Sequence, residues 1–179
     1  MTDAQLVRAV LDGDAQAFTV LTHRHAPACL RFATRMLGTR EDAEEVTQDT
    51  LVRAYRALAG YDSATAFRTW LFAILANRCR TALLSRTRRA RWVRTDDDAV
   101  GRMSTPSHGP ATELRVELTR AMDTLPLEQR EAFLLKHVEQ LDYAEMARIT
   151  GAGVSALKMR VQRACTHLQQ ELGEYGHAG

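Results

Sequence analysis

Apolar residues recur three and four positions apart along most of the chain, the spacing that lines one face of an α-helix. Leu6, Val7, Val10 and Leu11 form a first short stripe, opened by Thr2 and Gln5 in capping-box register and ended by Gly13. Asp14 caps a longer pattern of Phe18, Leu21, His25, Ala28, Cys29, Phe32 and Met36, which stops at Gly38. Thr39 and Asp42 open a third helix whose inner face carries Val46, Thr50, Ala54, Tyr55 and Leu58, ending near Gly60. A polar stretch, Asp62-Ser63-Ala64-Thr65, precedes a fourth stripe of Phe67, Trp70, Leu71, Ile74 and Leu75, so this helix starts near Thr65 or Ala66.

From about Ser85 to Ala111 the periodicity lapses, and TDDDAVGRMSTPSHGPA supplies glycine, proline, serine and a short acidic run. The pattern restarts at Leu114, Leu118, Ala121 and Leu125, and Pro126 sits where a helix carrying Phe133, Leu134 and Val138 takes its first residue. Asp142 and Glu145 form another capping box, with Tyr143, Met146, Ala147 and Ile149 inward, before Gly151-Ala152-Gly153 breaks the chain. A last helix from about Ser155 buries Leu157, Val161, Ala164, Leu168 and Leu172. The expectation is an all-α protein of two small helical domains, residues 1–86 and 112–175, joined by a flexible linker at 87–111. A capped helix, a glycine turn and a second helix make the end of the chain a helix-turn-helix.

Composition changes this picture through distribution, not totals. The formal charge is only +2 and the sequence pI about 8.6. Yet Arg78, Arg80, Arg86, Arg88, Arg89, Arg91 and Arg94 follow one another with almost no acid between them. Such a run repels itself unless an anion neutralises it, and a polyphosphate is the evident candidate. The three cysteines, Cys29, Cys79 and Cys165, are widely spaced and suggest neither a disulfide framework nor a zinc site. No cofactor is implied. No apolar run approaches the roughly 20 residues of a membrane span, and the N-terminus lacks a signal peptide's order, so the reading is a cytoplasmic protein with no membrane insertion.

Three constellations carry candidate chemistry. Asn77 falls at the edge of the fourth stripe beside Trp70, so an amide, aromatic rings and arginines are presented together, as in proteins that hold unpaired bases. The alternative is an amphipathic core helix followed by a solvated basic stretch. The outer face of the third helix gathers Glu41, Asp42, Glu44, Glu45, Gln48 and Asp49, then Arg53 and Arg56. The helix dipole accounts for part of this pattern, and the excess of carboxylates suits a basic protein partner. In the last helix Lys158, Arg160, Gln162 and Arg163 oppose the apolar face, as in a recognition helix entering the major groove, although any solvated helical hairpin gives a similar pattern.

With these residues laid out, the chain resembles the extracytoplasmic-function class of bacterial RNA polymerase sigma factors. DAEEVTQDTLVRAYRAL at 42–58 is similar to the family's polymerase-binding helix and AFRTWLFAILANRCR at 66–80 to its promoter-opening helix. LPLEQREAFLLKHVEQLDYAEMARITGAGVSALKMRVQRA at 125–164 resembles its second DNA-binding domain. The resemblance implies a factor that binds core RNA polymerase and promoter DNA, with an anti-sigma factor as the expected regulator. By position it places core-polymerase contacts at Glu45, Gln48, Asp49 and Arg53. Minus-10 contacts fall at Tyr61, Asp62, Ser63, Ala64, Phe67, Trp70, Asn77, Arg78 and Arg80, and minus-35 contacts at Ser155, Lys158, Met159, Arg160, Gln162 and Arg163. Thr81 stands where many members carry an acid, and Met159 where many carry a serine, so no relative's promoter sequence transfers. The competing readings are a stand-alone helix-turn-helix regulator, which needs no acidic helix, and a nucleic-acid enzyme. For the enzyme, no phosphate-cradling glycine loop or activated nucleophile is found.

Overall fold

The computed structural model describes residues 1–93 and 110–175, which form helices and turns without a strand. Helices α1 (Asp3–Leu11), α2 (Ala15–Leu37), α3 (Arg40–Ala57) and α4 (Phe67–Val93) make the first unit, with one turn of 3-10 helix at Leu58–Gly60. Their starts follow from local chemistry. Thr2 and Gln5 complete the capping box of α1, Asp14 accepts from the Gln16 amide, and Thr39 accepts from the Asp42 amide. Gly38 ends α2 at φ 78°, a left-handed backbone that a side chain would strain.

The core of this unit lies between α2, α3 and α4. Leu21, Phe32, Met36, Leu71, Phe72 and Leu75 are fully enclosed, and the Phe32 and Phe72 rings meet edge to face at 5.6 Å. Each such side chain contributes about 1.5–3 kcal/mol by leaving water. Helix α1 is fastened across α2 by Asp3, which takes His25 Nε2 at 2.8 Å and also pairs with Arg24. Tyr55, expected inward, is 49% exposed and lies edge-on against Phe18 instead.

The second unit comprises α5 (Pro110–Thr124), α6 (Leu127–Phe133), α7 (Tyr143–Thr150) and α8 (Val154–Tyr175), around Leu134, Leu135, Met146 and Leu157. Leu118 is 39% exposed, so the α5 stripe is narrower than its spacing suggested. Leu134–Val138 forms a π-helical turn where a regular helix was expected, and this wider turn leads into Glu139, which is 1% exposed. Asp142 and Glu145 cap α7 reciprocally, Gly151 ends it at φ 73°, and α8 follows, giving the helix-turn-helix.

Two sequence expectations shift. Residues 87–93, read as linker, continue α4: arginine and alanine favour helix, and a projecting helix needs no apolar stripe. The remaining expected linker positions up to Gly109 lie outside the described residues. The two units also touch, with α7 packed along α4 and the π turn against α2. No periodicity in the sequence announced that docking.

Candidate nucleic-acid interface

The loop before α4 is fixed by its own polar groups. Tyr61 donates its hydroxyl to the Thr65 carbonyl at 2.5 Å, and Asp62 Oδ1 accepts from the Ala64 amide at 2.9 Å. The second contact is an Asx turn, which accounts for an aspartate at the loop's start. Asp62, Ser63 and Ala64 are thereby exposed at the tip. Behind them the rings of Tyr61, Phe67 and Trp70 lie with centroids 5.2–5.7 Å apart. Tyr61 and Trp70 are half-buried, whereas Phe67 is only 3% exposed. Phe67 is therefore a platform beneath the other two rings and has no open face for a base, a correction to its place among the expected contacts. Burial, with Asp3 and Asp62 nearby, pushes the Tyr61 phenol up, so it stays a neutral donor.

Asn77 is exposed, not half-buried at the stripe's edge as its projection implied. Its backbone carbonyl accepts from Thr81 Oγ1 at 2.9 Å, while the loop bonds above are made by Tyr61 and Asp62. The amide is thus not the fastener of the turn. It stands at the surface with a donor and an acceptor to offer.

The arginine run is neutralised in space by acids distant in sequence. Arg78 meets Asp49 at 2.5 Å, Arg80 meets Glu131 at 2.6 Å, and Arg86 reaches Asp42 at 3.3 Å and the Leu37 carbonyl at 3.0 Å. Only Arg88 and Arg89, both exposed, have no acidic partner among the described residues. The side chains of Arg91 and Arg94 lie outside the described part of the structure. The expected mutual repulsion is therefore relieved within the protein for three of the seven arginines, and no polyphosphate is required there.

The acidic face of α3 is correspondingly less acidic than it reads. Asp49 binds Arg53 and Arg78 together, Glu44 pairs with Arg40, and Asp42 with Arg86. Burial alone would push the Asp49 carboxyl up, but hydrogen bonds and charge from both arginines outweigh it and hold the group below the usual carboxylate range. Glu45 and Gln48 are exposed beside this clasp, and Glu41 and Glu45 enter no ion pair among the described residues.

On α8, Ser155, Lys158, Met159, Gln162 and Arg163 are exposed on the face opposite buried Leu157, Val161 and Ala164. Lys158 Nζ and Lys136 Nζ lie 5.7 and 4.8 Å from the centroid of the Tyr143 ring. Arg160 departs from the expected outward projection, because Glu128 of α6 holds it at 2.7 Å and leaves its side chain 25% exposed. Sequence reasoning missed Glu128, 32 positions away, and also Arg68 and Thr69, which face the second unit. One signal was available: helical spacing puts Glu131 on the same face as Leu127, Leu134 and Leu135, where an acid needs a partner.

The arrangement offers cations, rings, an amide and a polar recognition face, the chemistry of holding a polynucleotide. Residues 21–89 match the family Sigma-70 region 2, and residues 115–168 match the family Sigma-70, region 4. The ECF RNA polymerase sigma-E factors of Salmonella typhimurium and Escherichia coli K12 are 30% identical over 176 residues, covering 92% of this chain and 91% of theirs. RNA polymerase sigma factor CarQ of Myxococcus xanthus is 31% identical over 163 residues, covering 91% of this chain and 93% of its own. Among solved structures, the sigma factor RpoE of Bartonella quintana in complex with the anti-sigma factor NepR superposes with TM-score 0.75 at 26% identity, covering 89% of this chain and 98% of that one. CnrH, in complex with the cytosolic domain of CnrY, gives TM-score 0.71 at 26% identity, covering 96% of this chain and 97% of that one.

Proposed function

Since this chain belongs to the sigma-70 family, in its extracytoplasmic-function class, we propose that its two units divide promoter recognition between them while one helix holds the polymerase. It is a transcription initiation factor and not an enzyme. It joins core RNA polymerase, recognises minus-35 and minus-10 elements and promotes melting of the DNA between the strands of the latter. Glu45, Gln48, Asp49 and Arg53 on α3 form the polymerase contact. Asn77 and the exposed tip Asp62-Ser63-Ala64, over the Tyr61 and Trp70 rings, take an unpaired minus-10 base, with Arg78 and Arg80 beside the backbone. Ser155, Lys158, Met159, Gln162 and Arg163, with Arg160 once released from Glu128, read or position the minus-35 element.

The observation that supports this reading is the presence of two different candidate DNA surfaces on one chain: an exposed amide on the helix that also carries part of an aromatic cluster, and a separate helix-turn-helix. Stacking and an amide suit an unpaired base, whereas a helix face suits a duplex groove. A stand-alone regulator needs only the second. Among the described residues no helix is long and apolar enough to cross a membrane, in keeping with work in the cytoplasm on polymerase and DNA. An anti-sigma factor is the proposed regulator, since two solved relatives of like arrangement are complexes with RpoE's partner NepR and CnrH's partner CnrY.

The test is reconstitution. The purified chain mixed with core polymerase should elute as one complex and direct run-off transcripts from a subset of the host's own promoters. Binding to DNA alone, with neither a polymerase complex nor transcripts, would replace this reading with the stand-alone regulator.

A further inference from the structure

A histidine stands where the helical stripe of α2 calls for an apolar side chain. His25 is 7% exposed, and Leu21 and Cys29, one turn to either side of it, are closed to solvent. A polar ring in such a place costs free energy unless it is bonded, and once bonded it is held in one orientation. The bond comes from another helix. Asp3, in the first turn of α1, accepts from His25 Nε2 through Oδ2 at 2.8 Å. The other carboxylate oxygen of Asp3 takes Arg24, which also donates to the Met1 carbonyl at 3.1 Å.

The same imidazole faces the start of α4. Its ring lies against Phe67, with centroids 5.3 Å apart and planes inclined at 51°. Phe67 in turn meets Tyr61 at 5.7 Å and Trp70 at 5.6 Å, and Tyr61 pins the loop through its hydroxyl bond to the Thr65 carbonyl. Helix α1 also touches the 3-10 turn at Leu58–Gly60, from which this loop departs. Burial pushes the Tyr61 phenol up and Asp3 adds to the rise, so the α1 carboxylate is felt at the loop itself. A route of direct contacts therefore runs from α1 through His25 and Phe67 to the two half-buried rings. In a close-packed interior the shift of one ring is passed to the next.

We propose that His25 is a positioning residue for capture of the unpaired minus-10 base: α1, through Asp3, fixes the imidazole, and the imidazole fixes the Phe67 platform on which Tyr61 and Trp70 rest. The proposal rests on the promoter-opening reading and deepens it, because it adds Asp3 and His25 to the residues that shape base capture without touching DNA. His25 is closed to solvent, so its effect passes through Phe67. An apolar side chain at this position would fill the space but leave the tilt of the platform to packing alone. The bonded imidazole instead ties together two helices through residues 22 positions apart. Glu45 and Gln48, on the proposed polymerase face of α3, have no part in this route.

The experiment uses holoenzyme assembled from the full chain and core polymerase, and follows open-complex formation on a host promoter and on variants changed at each minus-10 position. The base-by-base ratios are the readout that a merely destabilised fold leaves unmoved, since less folded chain lowers every rate by the same factor. His25→Phe keeps a ring against Phe67 and loses the bond to Asp3. It should lower the rate on the native sequence about tenfold, well within what a small displacement costs an assembled site, and flatten the base preference at one minus-10 position. Polymerase affinity should be unchanged.

Asp3→Ala removes the same bond from the α1 side and decides the matter should His25→Phe fail to fold, because Asp3 lies outside the core. It should flatten preference at the same position, and the double variant should lose no more than His25→Phe alone, as for two residues acting through one bond. Arg24→Gln, which loosens α1 but leaves the His25 bond, should keep the native preference. An equal loss on every minus-10 variant, native preference in Asp3→Ala, or equal flattening by Arg24→Gln overturns the proposal. Failure of the promoter-opening reading is a separate result: the native chain itself would then give no transcribing complex with core polymerase.

Discussion

Arg78 of α4 closes to 2.5 Å on Asp49 of α3, and the same carboxylate holds Arg53 at 2.9 Å. The pair joins the helix proposed to face polymerase to the helix proposed to open DNA. Asp49 is thus an internal clasp as well as a candidate contact, and its substitution has two consequences. Asp49→Lys should lower stability by about 1 kcal/mol, the upper range for a partly exposed pair, and weaken core-polymerase binding. Glu45→Lys, one turn earlier, exposed and unpaired, should weaken polymerase binding with a stability change below about 0.5 kcal/mol. Thermal melts and polymerase titrations on both variants separate the roles; full polymerase affinity for Glu45→Lys would remove this face from the interface.

Two carboxyls among the described residues are shifted, and they respond to pH in opposite directions. Asp49 is held below its ordinary value, so its contribution is complete above about 3.8 and is lost only as pH falls through the depressed value. The α3–α4 clasp should therefore be constant from pH 5 to 8. Glu131 is raised above 4.5 by burial, with Arg80 and Arg160 opposing the rise and Glu128 adding to it. Its contribution is complete below 4.5 and is lost as pH rises through the raised value. Glu131→Gln, which keeps an acceptor for Arg80, should match the native chain near pH 4 and melt at a higher temperature than it at pH 8. Equal melting at both pH values would show that Glu131 is not destabilised by its burial.

Asn77→Ala should leave folding almost unchanged, because the residue is exposed and alanine is the better helix former. Open-complex formation on the native minus-10 sequence should nevertheless fall, with a smaller loss on a template already mismatched at the captured base. An equal defect whatever the base, with polymerase binding preserved, would reduce Asn77 to scaffold.

Arg160 is held by Glu128, whose side chain is 66% exposed, so the pair is weak enough for a guanine or phosphate to replace it. Glu128→Gln should strengthen duplex binding a few-fold on all sequences by releasing Arg160. Arg160→Ala should cost about 1–3 kcal/mol on the preferred sequence and relax preference at one base pair. A loss spread evenly over all variants of the site, with a shallower salt dependence, would make Arg160 a phosphate contact.

How far the sequence could be read depended on the range of the interaction. Helix starts at Thr2, Asp14, Thr39 and Asp142 were legible because a cap bonds an amide two or three residues on. The apolar faces of α2 and α8 were legible because helical spacing repeats along them. Tyr55 misled, since its position on the stripe says nothing of whether a neighbour covers it. The candidate sites were legible as residue types but not as states. Arg80 and Glu131 are 51 positions apart and Arg68 and Glu139 are 71, and no periodicity links such partners. Arginines that look unopposed in sequence were consequently found paired, and Asn77, placed at a stripe's edge by projection, was found exposed.

The central claim is that this chain makes RNA polymerase open a promoter, and strand separation itself is the direct readout. Permanganate reactivity of thymines should be followed on a host promoter with core polymerase alone, with the chain alone, and with both. Reactivity should appear only with both, over a short stretch that includes the minus-10 element, and should fall with Asn77→Ala. Protection of duplex DNA by the chain alone, with no reactive thymines when polymerase is added, would contradict the account.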